Sequence, residues 1–332
     1  MSRIAIWIGR LGEVMLDERI KIVPLFSGSS GNSVFLRFGR TRVLIDIGRS
    51  TKQIVAALEQ IGEDPSRVDG ILITHDHSDH LSGLDVFVRK FGIHVYASEE
   101  TWRGIHMSEA KPHAEALDHV IEPWRSFSIG EVEITPFPTP HDARGSLGYR
   151  LSALGKTVSV ATDLGHFSED VRRAITGSEA VLIEANYNYD MLISGPYPWS
   201  LKRRVGGDRG HLCNRDCAEA IRCLYDSGTR HFILGHLSQE NNSPTVARNE
   251  ITDYLTQYNL IAGEHFSMTV ANRYCPTEPL VLEVAERFDY EDTPLADLID
   301  IEAVPPTDRF DLNDDPAAGI FGPELKGLGE AT

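Results

Sequence analysis

Cysteine is scarce in this chain, with four in 332 residues, at positions 213, 217, 223 and 275. That density cannot staple a secreted domain, and no CxxC pair offers a zinc knuckle, so the expected setting is a reducing cytoplasm. Apolar runs long enough to cross a bilayer are also missing, and no membrane partner is expected. Residues 1–16 are moderately apolar but are broken by Arg3, Gly9, Arg10, Gly12 and Glu13. They lack a signal peptide's continuous block and cleavage site, and residues 1–19 read as an N-terminal extension. Positive charge is short too: 32 Lys and Arg against 49 Asp and Glu leave a net of −17. This disfavours broad binding along duplex nucleic acid.

The charge deficit is uneven. Residues 281–332 hold 14 Asp and Glu against 3 Lys and Arg, leaving only −6 for residues 1–280. With Pro294, Pro305, Pro306, Pro316 and Pro323, this stretch reads as a flexible, solubilising tail. The body keeps local basic groups, among them Lys202, Arg203, Arg204 and Arg209, so a nuclease that grips a chain end is not excluded. Hydrophobic residues make up 41% of the chain, enough for one large domain, expected over residues 20–280.

What is abundant is metal-ligating chemistry. Thr74-His75-Asp76-His77-Ser78-Asp79-His80 places three imidazoles and two carboxylates directly after the apolar run Gly70-Ile71-Leu72-Ile73. Such a run reads as a buried strand, so the cluster sits at a strand's carboxyl exit, where open α/β sheets hold ligands. Five potential ligands in seven residues far exceed what helix capping needs. His75 and His77 share a side and reach one ion. Asp76 points away and is expected to orient the nucleophilic water. Asp79 and His80 open a helix expected over residues 81–88 and face a second ion.

Short apolar strands recur and supply the distant ligands. Strands are expected over residues 20–25, 33–38, 43–46, 69–73, 94–97, 132–136, 147–151, 158–161, 181–183 and 232–234. Helices are expected after Ser50 and over 81–88, 168–176, 216–225 and 247–257. A strand-rich start with helices between later strands implies layered α/β. His141, Asp163 and His236 each follow a strand. His75, His77 and His141 are assigned to one ion, and Asp79, His80 and His236 to the other. Asp163 bridges them, since a carboxylate has two oxygens. All-His/Asp shells suit two divalent ions, zinc or manganese first and iron as an alternative.

The His75-x-His77-x-Asp79-His80 signature, with His141, Asp163 and His236 following in order, resembles the metallo-β-lactamase superfamily hallmark. The branch it resembles is that of the bacterial YycJ/WalJ-like proteins. The match includes Phe26-Ser27-Gly28-Ser29-Ser30-Gly31-Asn32-Ser33, Ala161-Thr162-Asp163-Leu164-Gly165, Glu184-Ala185-Asn186-Tyr187, Gly210-His211-Leu212-Cys213-Asn214 and His236-Leu237-Ser238-Gln239-Glu240-Asn241-Asn242. It covers about residues 20–270 and implies a four-layered αβ/βα sandwich with DNA exonuclease-like activity. Members often carry serine where this chain has Cys213, and no later cysteine ligand of the drug-hydrolysing members is present.

His211 resembles the extra histidine that tRNA-processing relatives place near the scissile phosphate, where it donates a proton. Glu184 is expected either to hydrogen-bond His211 or a ligand histidine, or to pair with Lys202. Candidates to hold phosphates are Ser29, Ser30, Gly31 and Asn32 of the glycine-serine turn, Lys202 and Arg203, and Asn241 and Asn242. The turn lacks the lysine and spacing of a P-loop, so it reads equally as a tight hairpin. The expected activity is dinuclear phosphodiester hydrolysis at DNA ends with little base specificity. The alternatives are a thioester or cyclic-phosphate hydrolase and a non-catalytic scaffold. Oligomeric state is left open.

Overall fold

Short runs rich in Val, Ile and Leu pleat into two seven-stranded sheets in a computed structural model that describes residues 19–107 and 117–284. The expected extension, Arg19 apart, and the acidic tail beyond residue 284 lie outside the described residues. In chain order the strands are β1 (Ile20–Phe26), β2 (Ser33–Phe38), β3 (Thr41–Ile45), β4 (Gly70–Leu72), β5 (Val95–Ser98), β6 (Asp118–Ile121) and β7 (Phe127–Ile129). They continue as β8 (Val132–Pro138), β9 (Leu147–Ala153), β10 (Lys156–Ala161), β11 (Ala180–Glu184), β12 (His231–Gly235), β13 (Ser267–Val270) and β14 (Leu280–Leu282).

The first sheet runs β14-β1-β2-β3-β4-β5-β6 and the second β13-β12-β11-β10-β9-β8-β7. Each changes from antiparallel to parallel pairing in the middle, at β3 and at β10. β14 is antiparallel to β1, so residues 281 and 282, expected in the tail, extend the first sheet.

Strand alternation decides which sheet face each residue serves. Val43 and Ile45 of β3 turn inward with Val158 and Val160 of β10 and Leu182 of β11, filling the space between the sheets. Leu44 turns outward under two helices, α1 (Thr51–Gln60) and, after the short α2 (Ser78–Leu81), α3 (Leu84–Phe91), whose Ile54, Leu58, Phe87 and Val88 cover it. A fourth helix, α4 (Glu99–Met107), adds Trp102 to that layer. Over the second sheet lie α5 (Glu169–Ile175), α8 (Asn214–Asp226) and α9 (Pro244–Thr256), reached after two small helices, α6 (Tyr189–Ser194) and α7 (Trp199–Val205). Helix, sheet, sheet, helix is the expected four-layered sandwich.

Local chemistry sets the helix starts. The Ser168 hydroxyl accepts from Val171 N and that of Ser243 from Val246 N, satisfying first-turn donors. Ser50 stands ahead of α1, but its hydroxyl goes to Gln53 Oε1 instead. The single helix expected over residues 81–88 is two. Gly83 interrupts it by donating to Ile47 O and packing against Arg49 O, where a Cβ would collide. The loop after β3 thus claims the backbone that would have continued the helix.

Across the outer face of the first sheet, Lys21, Arg37 and Arg42 converge on Glu63, whose side chain is 3% exposed. Removing that carboxylate strands three partly buried cations. Glu63→Ala is expected to lower stability by about 3 kcal/mol, read from urea unfolding midpoints; a change below a few tenths would show the cluster to be solvated.

Candidate metal centre

The carboxyl ends of strands from both sheets meet at one edge of the sandwich. Asp46 follows β3, the 75–80 cluster follows β4, His141 follows β8, Asp163 follows β10, Glu184 ends β11 and His236 follows β12. Asp46, Asp163 and His236 hold left-handed backbone, with φ of 62, 58 and 55°. Such strain in non-glycine residues concentrates at functional sites. It turns each chain sharply off its strand and leaves the side chain facing the shared edge.

Ties between the sheets keep these ends together. Tyr149 donates its hydroxyl to Ile73 O at 2.5 Å, Leu147 N donates to Thr74 O and His236 N donates to Ser27 Oγ. Gly48 lets the loop after β3 lie flat on the cluster, for a Cβ there would collide with Asp79 O and Asn32 N.

Two sets of ligating atoms result. His75, His77 and His141 form one, and Asp79, His80 and His236 the other; the atoms of each set lie within 4.8 Å of one another. Asp163 stands between them. Its Oδ1 is 3.7 Å from His141 Nε2, and its Oδ2 is 3.7 Å from His80 Nε2.

Each supporting contact occupies the ring nitrogen that faces outward. His80 Nδ1 is 2.7 Å from Asp46 Oδ2, and His141 Nδ1 donates to Gly210 O at 3.0 Å. His236 Nδ1 meets Glu184 Oε1 at 2.8 Å. The Thr74 hydroxyl donates to Asp46 and accepts from His75 Nδ1. The remaining Nε2 atoms point to the common centre, with the tautomer set by the outer partner. Asp46 and Thr74 are the residues that sequence reasoning missed. The signal for Asp46 was present, since an apolar strand leads into it as one leads into Asp163.

Without an ion, the two sets differ in charge. Burial holds His75 far below its usual pKa and lowers His141, so in the first set these two imidazoles are held toward their neutral forms. Burial would also lower His80, but Asp46, Asp163 and Asp79 outweigh it and push its pKa up to about 9. His236 rises similarly, burial being overcome by Asp163, Asp79 and Glu184. Burial raises Asp79 and Glu184, yet the histidines beside them hold both carboxyls well below the usual range.

The geometry suits divalent cations. His75 Nε2 and His141 Nε2 lie 3.0 and 3.4 Å from the same His77 Nδ1, and one shared proton cannot satisfy three converging ring nitrogens. Asp163 Oδ2 and His236 Nε2 are buried without any hydrogen-bond partner. Groups this buried and polar are costly unless something electrophilic answers them.

The other expected residues divide. Glu184 joins His211 to the centre, accepting from His211 Nδ1 at 2.8 Å as well as from His236, and Lys202 does not approach it. Lys202 instead donates to Ile193 O and lies over Trp199, while Arg203 is exposed. Arg204 and Arg209 are the basic residues that reach the cluster, Arg204 pairing with Asp142 beside His141 and His77 and Arg209 donating to His141 O. Asp76 belongs to neither set. Its carboxylate packs against Gly104 of α4.

Of the expected phosphate contacts, Asn32 is engaged internally. It accepts from Gly28 N and donates toward Asp79 and His80, bracing the second set. Gly31 closes the turn by donating to Gly28 O, Ser30 accepts from Arg49, and Ser29 is exposed. Asn242 is corrected to a scaffold role: its amide donates to Ala185 O, Asn186 O and Asn214 deep in the fold. Asn241 is fully buried beside it.

Comparison with known proteins places this geometry. A beta-lactamase superfamily domain matches residues 41–237. The chain is 37% identical over 255 residues to exodeoxyribonuclease WalJ of Streptococcus pneumoniae serotype 2, covering 76% of this chain and 95% of that one. It is 34% identical over 255 residues to exodeoxyribonuclease YycJ of Bacillus anthracis, covering 76% and 96%. Among solved structures, zinc-bound PqqB from Methylobacterium extorquens superposes with a TM-score of 0.59 at 15% identity, over 78% of this chain and 99% of that one, a likeness of fold. No helix among the described residues is long and apolar enough to cross a membrane.

An ion entering the second set must displace the proton that His80 holds up to about pH 9. Metal affinity is therefore expected to fall progressively as pH drops below about 9. Calorimetric titration of metal-free protein in buffers of differing ionisation heat measures both the affinity and the protons released. For the metal-free fold the sign is opposite. The raised pKa stabilises it fully below 6.5, and that contribution is lost as pH passes about 9.

Proposed function

The chain is a metal-dependent hydrolase that belongs to the beta-lactamase superfamily, and from that premise we propose that it is a dinuclear phosphodiesterase that trims DNA from its ends. One observation carries the reading: the two oxygens of Asp163 face different ligand sets, as a carboxylate shared between two ions would. The exodeoxyribonuclease names of the streptococcal and Bacillus relatives support DNA as the substrate. In this reading His75, His77 and His141 hold one ion, and Asp79, His80 and His236 hold the other. Zinc, manganese or iron suits such shells.

When bound, the ion pair lowers the pKa of a lodged water and offsets charge developing on the phosphoryl oxygens. The remaining work falls to the chain. Asp46, Thr74 and Gly210 O lock the outer nitrogens of His80, His75 and His141, so the inner ones stay aimed. Glu184 accepts the Nδ1 proton of His211 and steadies its imidazolium form, whose second proton, on Nε2, would pass to the departing ribose oxygen and leave the ring neutral. The same carboxylate grips His236, coupling proton donor and ligand through one rigid strand end. Arg204 screens Asp142, keeping its negative charge from repelling an incoming phosphate.

The test is to incubate metal-quantified protein with end-labelled single- and double-stranded DNA and matched RNA. Progressive loss of nucleotides from DNA, absent with Asp79→Ala, is the expected result. Hydrolysis confined to thioesters or cyclic phosphates would replace the reading. Asp79→Ala and His80→Ala are each expected to lower bound metal from two ions to one and abolish turnover. His211→Ala is expected to slow the chemical step by about 100- to 10,000-fold, with DNA affinity little changed; equal losses in both would make His211 a positioning residue.

A further inference from the structure

Two arginines beside the second ligand set have no carboxylate to answer them. Arg49 follows Gly48, which packs on Asp79, and Arg49 donates to Ser30 Oγ at 2.7 Å. Arg273 lies beyond β13 and donates to Leu237 O at 2.5 Å, one residue from His236. Neither forms an ion pair among the described residues, and Arg49 Nε and Arg273 Nη1 have no acceptor. On the far side of the centre the situation differs, for Arg204 is neutralised by Asp142. In a chain with a net charge of −17, two guanidinium groups with unanswered donors close to one another are a place where an anion can bind.

Between them stands an aromatic ring. Tyr274 is 62% exposed, and the guanidinium carbons of Arg49 and Arg273 lie 5.6 and 6.0 Å from its ring centre. A cavity of about 280 Å³ opens beside Arg273, bounded by Ser27, Ser238, Gln239 and Asn272. Arginine forks match phosphate oxygens, and an exposed tyrosine offers a sequence-tolerant face to a base. Burial and the facing Arg49 both weigh against the charge on Arg273, a penalty that an anion would relieve.

We infer that Arg49, Arg273 and Tyr274 hold the nucleotide next to the bond being cut, the guanidinium groups on its phosphate and the phenol ring against its base. The assignment rests on the phosphodiesterase reading and deepens it by locating the strand on the side of the second ion. The strand then runs from the cavity beside Arg273, past the glycine-serine turn, to the centre.

Two measurements on metal-loaded protein test it: anisotropy binding of a phosphorothioate-linked, cleavage-resistant single-stranded oligonucleotide across a salt series, and turnover of bis(4-nitrophenyl) phosphate, which has no neighbouring nucleotide. Arg49→Ala and Arg273→Ala are each expected to reduce the salt slope by about 0.7. Tyr274→Ala is expected to weaken oligonucleotide binding roughly tenfold, and Tyr274→Phe to restore it. Turnover of the small ester should stay within twofold in all four. Unchanged salt slopes and affinities overturn the subsite while leaving nuclease activity intact. Equal losses on both substrates also overturn it, since the residues would then brace the His236 loop. DNA that is bound through these residues but never cut upholds the subsite and removes the nuclease reading.

Discussion

Five imidazoles and two carboxylates turned toward one buried edge would repel or stay unsatisfied without positive charge between them. The rest of the molecule is arranged around holding them there. His75, His80, His141 and His236 are each clamped on the outer nitrogen by a carboxylate, hydroxyl or carbonyl, so these four rings cannot relax by rotation. Asp46 and Glu184 are the two anchors, one from each sheet, and each is almost wholly out of water. Divalent ions would complete a cage whose walls are set by folding.

The sandwich makes such a cage possible because its halves share one plan. Each sheet passes from antiparallel to parallel pairing at its middle, so β3 and β4 of one half and β10, β11 and β12 of the other end at the same rim. Ligands far apart in the chain therefore need only short loops to meet. The bonds from Tyr149 to Ile73 and from His236 to Ser27 pin the two rims at hydrogen-bond range.

Much of this was legible in the sequence. Apolar runs ending in His or Asp marked β4, β10 and β12, and the distances among their side chains are those a shared centre needs. The order of strands and helices gave a layered α/β fold, and the family resemblance supplied the number of layers. What escaped notice lacked a local signature. β14 is three residues that pair with β1 across most of the chain, and α7 buries no side chain fully, so it has no apolar stripe to read. Asp76 belonged to the right segment, but which face of the turn it occupies depends on α4 packing beside it. Asn242 was singled out within a segment that resembles the family; its neighbours Ala185, Asn186 and Asn214 come from remote parts of the chain.

The left-handed backbone at Asp46, Asp163 and His236 has a bearing on how this centre can vary. Outside glycine, that conformation is tolerated best by aspartate, asparagine and histidine. Two of those three are also ligands for hard and borderline cations. The sharp exits from β3, β10 and β12 thus act as a steric filter whose permitted alphabet largely coincides with coordination chemistry. Drift at these sites toward bulky or branched residues is barred by the main chain, and at Asp163 and His236 it would also remove a ligating group.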